Sequence, residues 1–211
     1  MSAPSDLRTL VLHGLRLKGF ADAGAIGEAG GVAEHEAKPL LDQLVVDGLA
    51  TYRDGKLCGF SLSREGRAHH AELLAAELEA TGARAAIDAA YRRFLVLNPE
   101  LLGVCTAWQL REVDGESTVN DHLDPTYDAG VVEQLADLDA RVQPICADLS
   151  EALARFASYG PRLASAAQRV QGGETDWFTK PMIPSYHTVW FEMHEDLLCT
   201  LGIERGSEEG G

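Results

Sequence analysis

A chain of 211 residues, 45% hydrophobic and 24% charged, has enough apolar content for one large core or two modest domains, and two are expected. Its formal net charge of -15 excludes a protein that holds nucleic acid by bulk positive charge, and no apolar run approaches the length of a membrane span. The opening MSAPSDLRTL lacks the basic, apolar and small-residue order of a secretory signal, so a cytoplasmic protein without a membrane partner is expected.

Leu7 to Leu17 places Leu7, Leu10, Val11, Leu12, Leu15 and Leu17 on a helix, with Arg8, Arg16 and Lys18 toward solvent. Gly19-Phe20 ends it, and Phe20 reads as a core plug. A short helix over Ala23 to Glu28 then meets a tight turn at Gly30-Gly31. Glu34 to Asp47 has Leu40, Leu41, Leu44, Val45 and Leu49 at near-helical spacing, acids in its first turn, and Pro39 where a helix tolerates it. After Gly48 the pattern changes to strand over Leu49 to Arg53, a two-residue turn at Asp54-Gly55 and a returning strand over Lys56 to Leu62. Ser63 caps a helix over Arg64 to Ala80, interrupted at Thr81-Gly82. His69 and His70 are adjacent, point to different sides and read as surface residues.

The run LLDQLVVDGLATYRDGKLCGFSLSREGR resembles the recognition helix, wing and exit helix of MarR-like winged helix-turn-helix transcriptional regulators. That resemblance covers roughly the first 80 residues and implies double-stranded DNA as a partner and a homodimer that sets two recognition helices in successive major grooves. It places His35, Lys38 and Gln43 on the recognition helix, Arg53 and Lys56 on the wing, and Arg64 and Arg67 just after it. The charge opposes an easy assignment: through Gly82 there are 8 basic and 12 acidic residues. A duplex contact would need those few cations gathered on one surface.

The remainder reads as helical. Ala83 to Leu97 forms one helix, Asn98-Pro99 a cap, and a second helix runs to about Arg111 with Leu101, Leu102, Val104, Cys105, Trp108 and Leu110. Residues 112–130 read as a long polar loop suited to binding. Val131 to Ala140 and Pro144 to Phe156 follow as separate helices, Tyr159-Gly160-Pro161 turns into a helix ending at Gly172-Gly173, and an irregular Glu174 to Pro184 leads to the last helix, Ser185 to Leu201. Cys58, Cys105, Cys146 and Cys199 lack CxxC spacing and read as reduced, mostly buried thiols.

The expected fold is therefore mainly α: an N-terminal winged helix-turn-helix with a two-stranded β wing over 1–82, an all-α helical bundle over 83–203, and a flexible tail over 204–211. YRRFLVLNPELL, CTAWQLR, NDHLDP and SYHTVWFEMHEDLL are similar to segments of uncharacterised actinobacterial-type regulators that join a winged helix to an all-α C-terminal domain. Those proteins tend to carry an acid where this chain has Ala107, so no role is carried over to that position.

Aromatic walls with a few directed polar groups mark small-molecule sites. Trp108, Gln109, Arg111, His122, His187, Trp190 and His194 are the effector-pocket candidates, with His187, Trp190, Phe191 and His194 on one side of the last helix. Arg92, Arg93 and Arg111 suit an anionic effector. His122, Asp124 and His194 are candidate ligands for a divalent metal, the one cofactor the residues point to. The function expected is ligand-responsive transcriptional regulation, without catalysis. The alternative is an enzyme on a winged-helix scaffold that uses His122, His187 or His194 with Glu192 or Asp196 in its helical domain.

Overall fold

The computed structural model describes residues 6–113 and 115–204. It is mainly helical, and the chain falls into two compact units: Met1–Ala85 with Ala152–Arg155 and His194–Gly211, and Ala86–Glu151 with Phe156–Met193. Residues 152–155 and 194–204, expected in a C-terminal domain, thus belong with the first unit. The expected tail lies, from residue 205 on, outside the described residues. Among the described residues no helix is long and apolar enough to cross a membrane.

The first unit begins with α1 (Leu7–Lys18), capped by Asp6, whose carboxylate accepts from Thr9 N at 2.9 Å. β1 (Phe20–Ala21), α2 (Ala23–Gly30), α3 (Glu34–Val46), β2 (Ala50–Arg53), β3 (Gly59–Leu62) and α4 (Arg64–Thr81) follow. The three strands form an antiparallel sheet in the order β1-β3-β2. Val11, Leu12, Leu15, Ile26, Leu41, Leu44, Phe60 and Leu62 close the core between helices and sheet. Gly14 lets α1 and α2 cross closely: a Cβ there would stand 2.3 Å from the carbonyl oxygen of Ile26.

Two expectations fail here. Phe20 is no core plug; it pairs with Ser61 as the edge strand and is 39% exposed. The turn expected at Asp54-Gly55 is longer than two residues, because Arg53 pairs with Gly59 and leaves 54–58 as the connection. Asp54 accepts from Gly55 N at 2.8 Å, a local bond that shapes a wider loop rather than a tight reverse turn.

The second unit is built from α5 (Arg84–Gln109, from Ala86 on), β4 (Leu110–Val113), β5 (Glu116–Val119), α6 (Pro125–Ala152, to Glu151), a 3-10 turn (Ala154–Ser158, from Phe156 on), α7 (Tyr159–Gln171), α8 (Asp176–Thr179) and the first half of α9 (Tyr186–Leu201). Proline in a helix interior removes one hydrogen bond and costs about 3 kcal/mol, which is why breaks are expected at Pro99 and Pro144. Both helices nonetheless run through. Buried side chains continue on either side of each proline, Phe94, Leu97, Leu101 and Val104 in α5 and Leu138, Val142, Ile145 and Leu149 in α6, so packing outweighs the lost bond. Tyr159-Gly160-Pro161 is likewise the first turn of α7 rather than a turn before it.

The expected loop at 112–130 is instead a hairpin followed by the start of α6. Leu110 pairs with Val119 and Val113 with Glu116, and Gly115 has φ +83°, the left-handed backbone a tight hairpin demands. Aromatic contacts fill the interior: Phe94 to Trp190 at 4.7 Å and Trp108 to Phe178 at 4.8 Å between ring centroids.

Candidate functional site

The clearest site in the second unit forms where the β4–β5 hairpin returns to α6. Asn120 is buried, and its side-chain amide donates to Trp108 O at 3.1 Å and to Asp128 Oδ1 at 2.8 Å. His122 follows with φ +59°, a left-handed conformation that costs a non-glycine residue on the order of 1 kcal/mol and persists only where its surroundings impose it. The surroundings are visible: its ring centroid lies 4.4 Å from that of Trp108, and its Nδ1 lies 3.0 Å from Asp128 Oδ2. A carboxylate only accepts, so Nδ1 carries the proton and Nε2 of the neutral ring is left with a lone pair.

Trp108, His122 and Asp128 line one end of a groove of about 600 Å³, continued by Val132, Ala136 and Val170 from α6 and α7. This is the size and makeup of a small-molecule site: apolar walls with a few directed polar groups.

Of the other effector candidates in this unit, Gln109 is exposed and its backbone carbonyl accepts from Asn120 N at 2.9 Å. Arg111 Nη1 is 3.7 Å from Asp124 Oδ2 and its guanidinium is 5.7 Å from the Tyr127 ring. His187 is half-buried on α9 and is not among the groove's lining residues. Trp190 is 3% exposed, packed on Phe94, with Nε1 donating to Asn98 Oδ1 at 3.0 Å. His194 belongs to the first unit. The one-sided aromatic face expected on the last helix is thus divided: Trp190 is core, Phe191 is 46% exposed, and Glu192 is buried, with Arg162 at 2.6 Å.

Asp124 accepts from Thr126 N and Tyr127 N, both at 3.1 Å, and so caps α6 instead of facing His122. Among the described residues no group of three or more His, Cys, Asp or Glu side chains is gathered to hold a metal ion. Of the candidate ligands, His122 and Asp124 lie in the second unit and His194 in the first. The arginines proposed for an anion are also engaged: Arg92 meets Asp88 at 2.8 Å and Arg93 pairs with Asp148.

In the first unit, the outer face of α3 exposes His35, Glu36, Lys38, Pro39, Asp42 and Gln43. Lys38 Nζ stands 2.6 Å from both oxygens of Asp42, and Gln43 donates to Asp47 at 2.8 Å. Arg53 lies 4.5 Å from the Phe20 ring centroid and donates Nε to Leu57 O at 3.3 Å. Lys56 and Arg64 are exposed. Arg67 is exposed too and lines a separate groove beside His70.

That groove adjoins a buried polar cluster that sequence reasoning missed. His70 is 2% exposed, not a surface residue, and its Nε2 lies 2.9 Å from His13 Nδ1. His13 Nε2 lies 3.0 Å from Asp196 Oδ2. Arg155 donates to Asp196 and Thr200, and to Glu77 Oε2 at 2.8 Å. Burial pushes the His70 pKa down to about 3, helped by the neighbouring His13. Burial acts to raise Asp196, but Arg155 and His13 beside it outweigh that and hold the carboxyl well below its usual range. A sequence signal existed: His70, Leu74 and Leu78 are spaced four apart, on one helix face, and all are buried.

The exposed and buried thiols divide as Cys58 against Cys105 and Cys146; burial raises the latter two to about 12, which makes them poor nucleophiles. Comparison with family models, with curated proteins and with solved structures finds no match for this chain.

Proposed function

We propose that the protein is a ligand-responsive regulator whose first unit binds double-stranded DNA as a winged helix, in a homodimer, and whose second unit takes a small effector in the Trp108–His122 groove. The observation that carries the reading is the order of the first unit: short α2, then α3 with an exposed outer face, then the β2–β3 hairpin, with Arg53 at the end of β2 and Lys56 in the connection. A helix-turn-helix uses its second helix against base edges, and a basic hairpin beside it reaches phosphates. His35 and Gln43 are the base-contacting candidates; Lys38, Arg53, Lys56 and Arg64 are the phosphate contacts.

The effector's chemistry follows from the groove. Among the described residues its lining includes Asp128 and Glu133 and no Lys or Arg, so it favours an apolar, flat body with a donor or positive group over the anion expected from sequence.

A gel-shift series at several salt concentrations tests the DNA assignment. Arg53→Ala should weaken binding and reduce the salt slope by about one ion, whereas Gln43→Ala should change sequence preference. Identical binding by wild type and Arg53→Ala across all fragments and salts overturns it. A protein-contacting winged helix is the second reading, favoured by the Lys38–Asp42 and Gln43–Asp47 pairs, which occupy two of the polar groups a duplex would use.

A further inference from the structure

The cluster behind His70 has a direction. Arg155 donates to Asp196, and Thr200 Oγ1 donates to the same carboxylate at 3.0 Å, so Asp196 stays ionised and only accepts. With both imidazoles neutral, the proton between His13 and Asp196 therefore sits on His13 Nε2. His13 Nδ1 is then bare and must accept from Nε2–H of His70 at 2.9 Å. One lone pair remains at the end of the chain, on His70 Nδ1. The 3.3 Å approach of Arg155 Nη1 to His13 Nε2 is a contact between two donors serving one carboxylate.

His70 makes no second hydrogen bond among the described residues, and it lines a groove of about 370 Å³ with Arg16, Arg67, Glu195, Cys199 and Glu204. Arg16 is offset by Glu195 at 2.5 Å. Arg67 makes no ion pair among the described residues. Burial raises the Cys199 thiol to about 12, so it serves as a neutral wall rather than a nucleophile. Beside the carboxylates of Glu195 and Glu204, the groove thus presents the guanidinium of Arg67 and one acceptor-only nitrogen.

We propose that this groove is a second binding site, for a small oxyanion that carries its own hydrogen-bond donor, with Arg67 holding the charge and His70 Nδ1 accepting the donor's hydrogen. The directed chain makes the discrimination. Hydrogen phosphate or an α-hydroxycarboxylate offers both an anionic oxygen and an O–H. Sulfate and acetate offer only lone pairs, which meet the lone pair of His70 and lose that bond. Asp196 acts through His13 as a positioning residue: while His13 carries one proton, the carboxylate that Arg155 holds ionised keeps that proton on Nε2 and leaves Nδ1 to accept from His70. The proposal is independent of DNA binding and of the Trp108 groove.

The test uses the full chain at mildly alkaline pH, with proton–nitrogen correlation NMR of the histidine rings. Hydrogen phosphate and glycolate are titrated against sulfate and acetate as their counterparts without a donor. Expected are the Nε2–H tautomer for His70 in the free protein, and a saturable shift of its Nδ1 resonance by hydrogen phosphate, glycolate or both, at least about tenfold tighter than the matching counterpart. Which of the two binds tighter assigns the ligand to phosphate or to hydroxycarboxylates. Arg67→Gln, at an exposed position, should weaken that binding by about tenfold while leaving the free protein's His13 and His70 resonances unchanged. An adventitious anion only, seen as equal binding of sulfate and hydrogen phosphate and of acetate and glycolate, overturns the proposal. So does an Nδ1–H tautomer of His70, or an Arg67→Gln variant that binds like wild type.

Discussion

Asn98 Oδ1 accepts the indole hydrogen of Trp190 at 3.0 Å, which turns a residue with the sequence of a helix cap into a clamp between α5 and α9 within the second unit. Trp190 is consequently core. Trp190→Ala should cost about 3–5 kcal/mol, whereas Trp190→Phe, which keeps contact with Phe94 but loses the clamp, should cost about 1 kcal/mol beyond the smaller ring's packing loss. Denaturant unfolding of both variants measures the difference; a Trp190→Phe loss no larger than its packing change would remove the hydrogen bond from the account.

Acid should destabilise the first unit in two stages. His70 has a pKa lowered to about 3, first by burial and then by His13; the unfolded side chain titrates near 6.5. Between these values the unfolded chain binds the extra proton, so stability falls as pH drops below about 6.5 and continues to fall toward about 3. Asp196, held below its usual range, adds a second loss as pH falls below about 4. Unfolding midpoints across this range check the sign, and His70→Gln should flatten the upper stage.

Arg155 is 3% exposed in its side chain and serves Asp196, Glu77 and Thr200 together. Arg155→Met should cost about 3–5 kcal/mol, because Asp196 is left buried without its cation. Adding Asp196→Leu should recover part of that loss, which a thermodynamic cycle reads directly. Additive losses would show that the two residues act separately.

Asp42 holds Lys38 on the exposed face of α3. If that face meets phosphate, Asp42→Asn should tighten duplex binding and steepen the salt dependence by about one ion. An unchanged slope in the same gel-shift series would favour the protein-contacting reading.

Gly14 has no room for a side chain, since a Cβ would also stand 2.9 Å from Gly30 N. Gly14→Ala should cost about 1–3 kcal/mol through displacement of α2. Thermal melts compare it with Ala at Gly24, where the nearest atom is 3.4 Å away and belongs to the Glu34 side chain.

Local sequence determined what local physics controls. Apolar spacing together with local start and stop signals located α1, α3, α4, α7 and α9 within a few residues, because a helix's periodicity and its end residues are local properties. Ser63 as a cap held too: its hydroxyl accepts from Gly66 N at 2.9 Å. The two Asp–Gly pairs show the limit. The pair at 54–55 sits in a five-residue connection, while the tighter turn is the one that carries Gly115 between Val113 and Glu116, in a stretch read as loop. Both pairs permit the turn, and only the pairing of flanking strands decides which one takes it.

Tertiary structure decided the rest. Pro99 and Pro144 lie within continuous helices because buried neighbours on both sides outweigh one lost bond apiece. Asp128, rather than Asp124, became the partner of His122 because Asp124 is spent on the α6 cap. His13, His70, Arg155 and Asp196 are separated by 57, 142 and 41 positions along the contacts that join them. No local pattern encodes such a cluster. It exists because a buried charge must find partners wherever folding brings them, and those partners are chosen by space rather than by sequence distance.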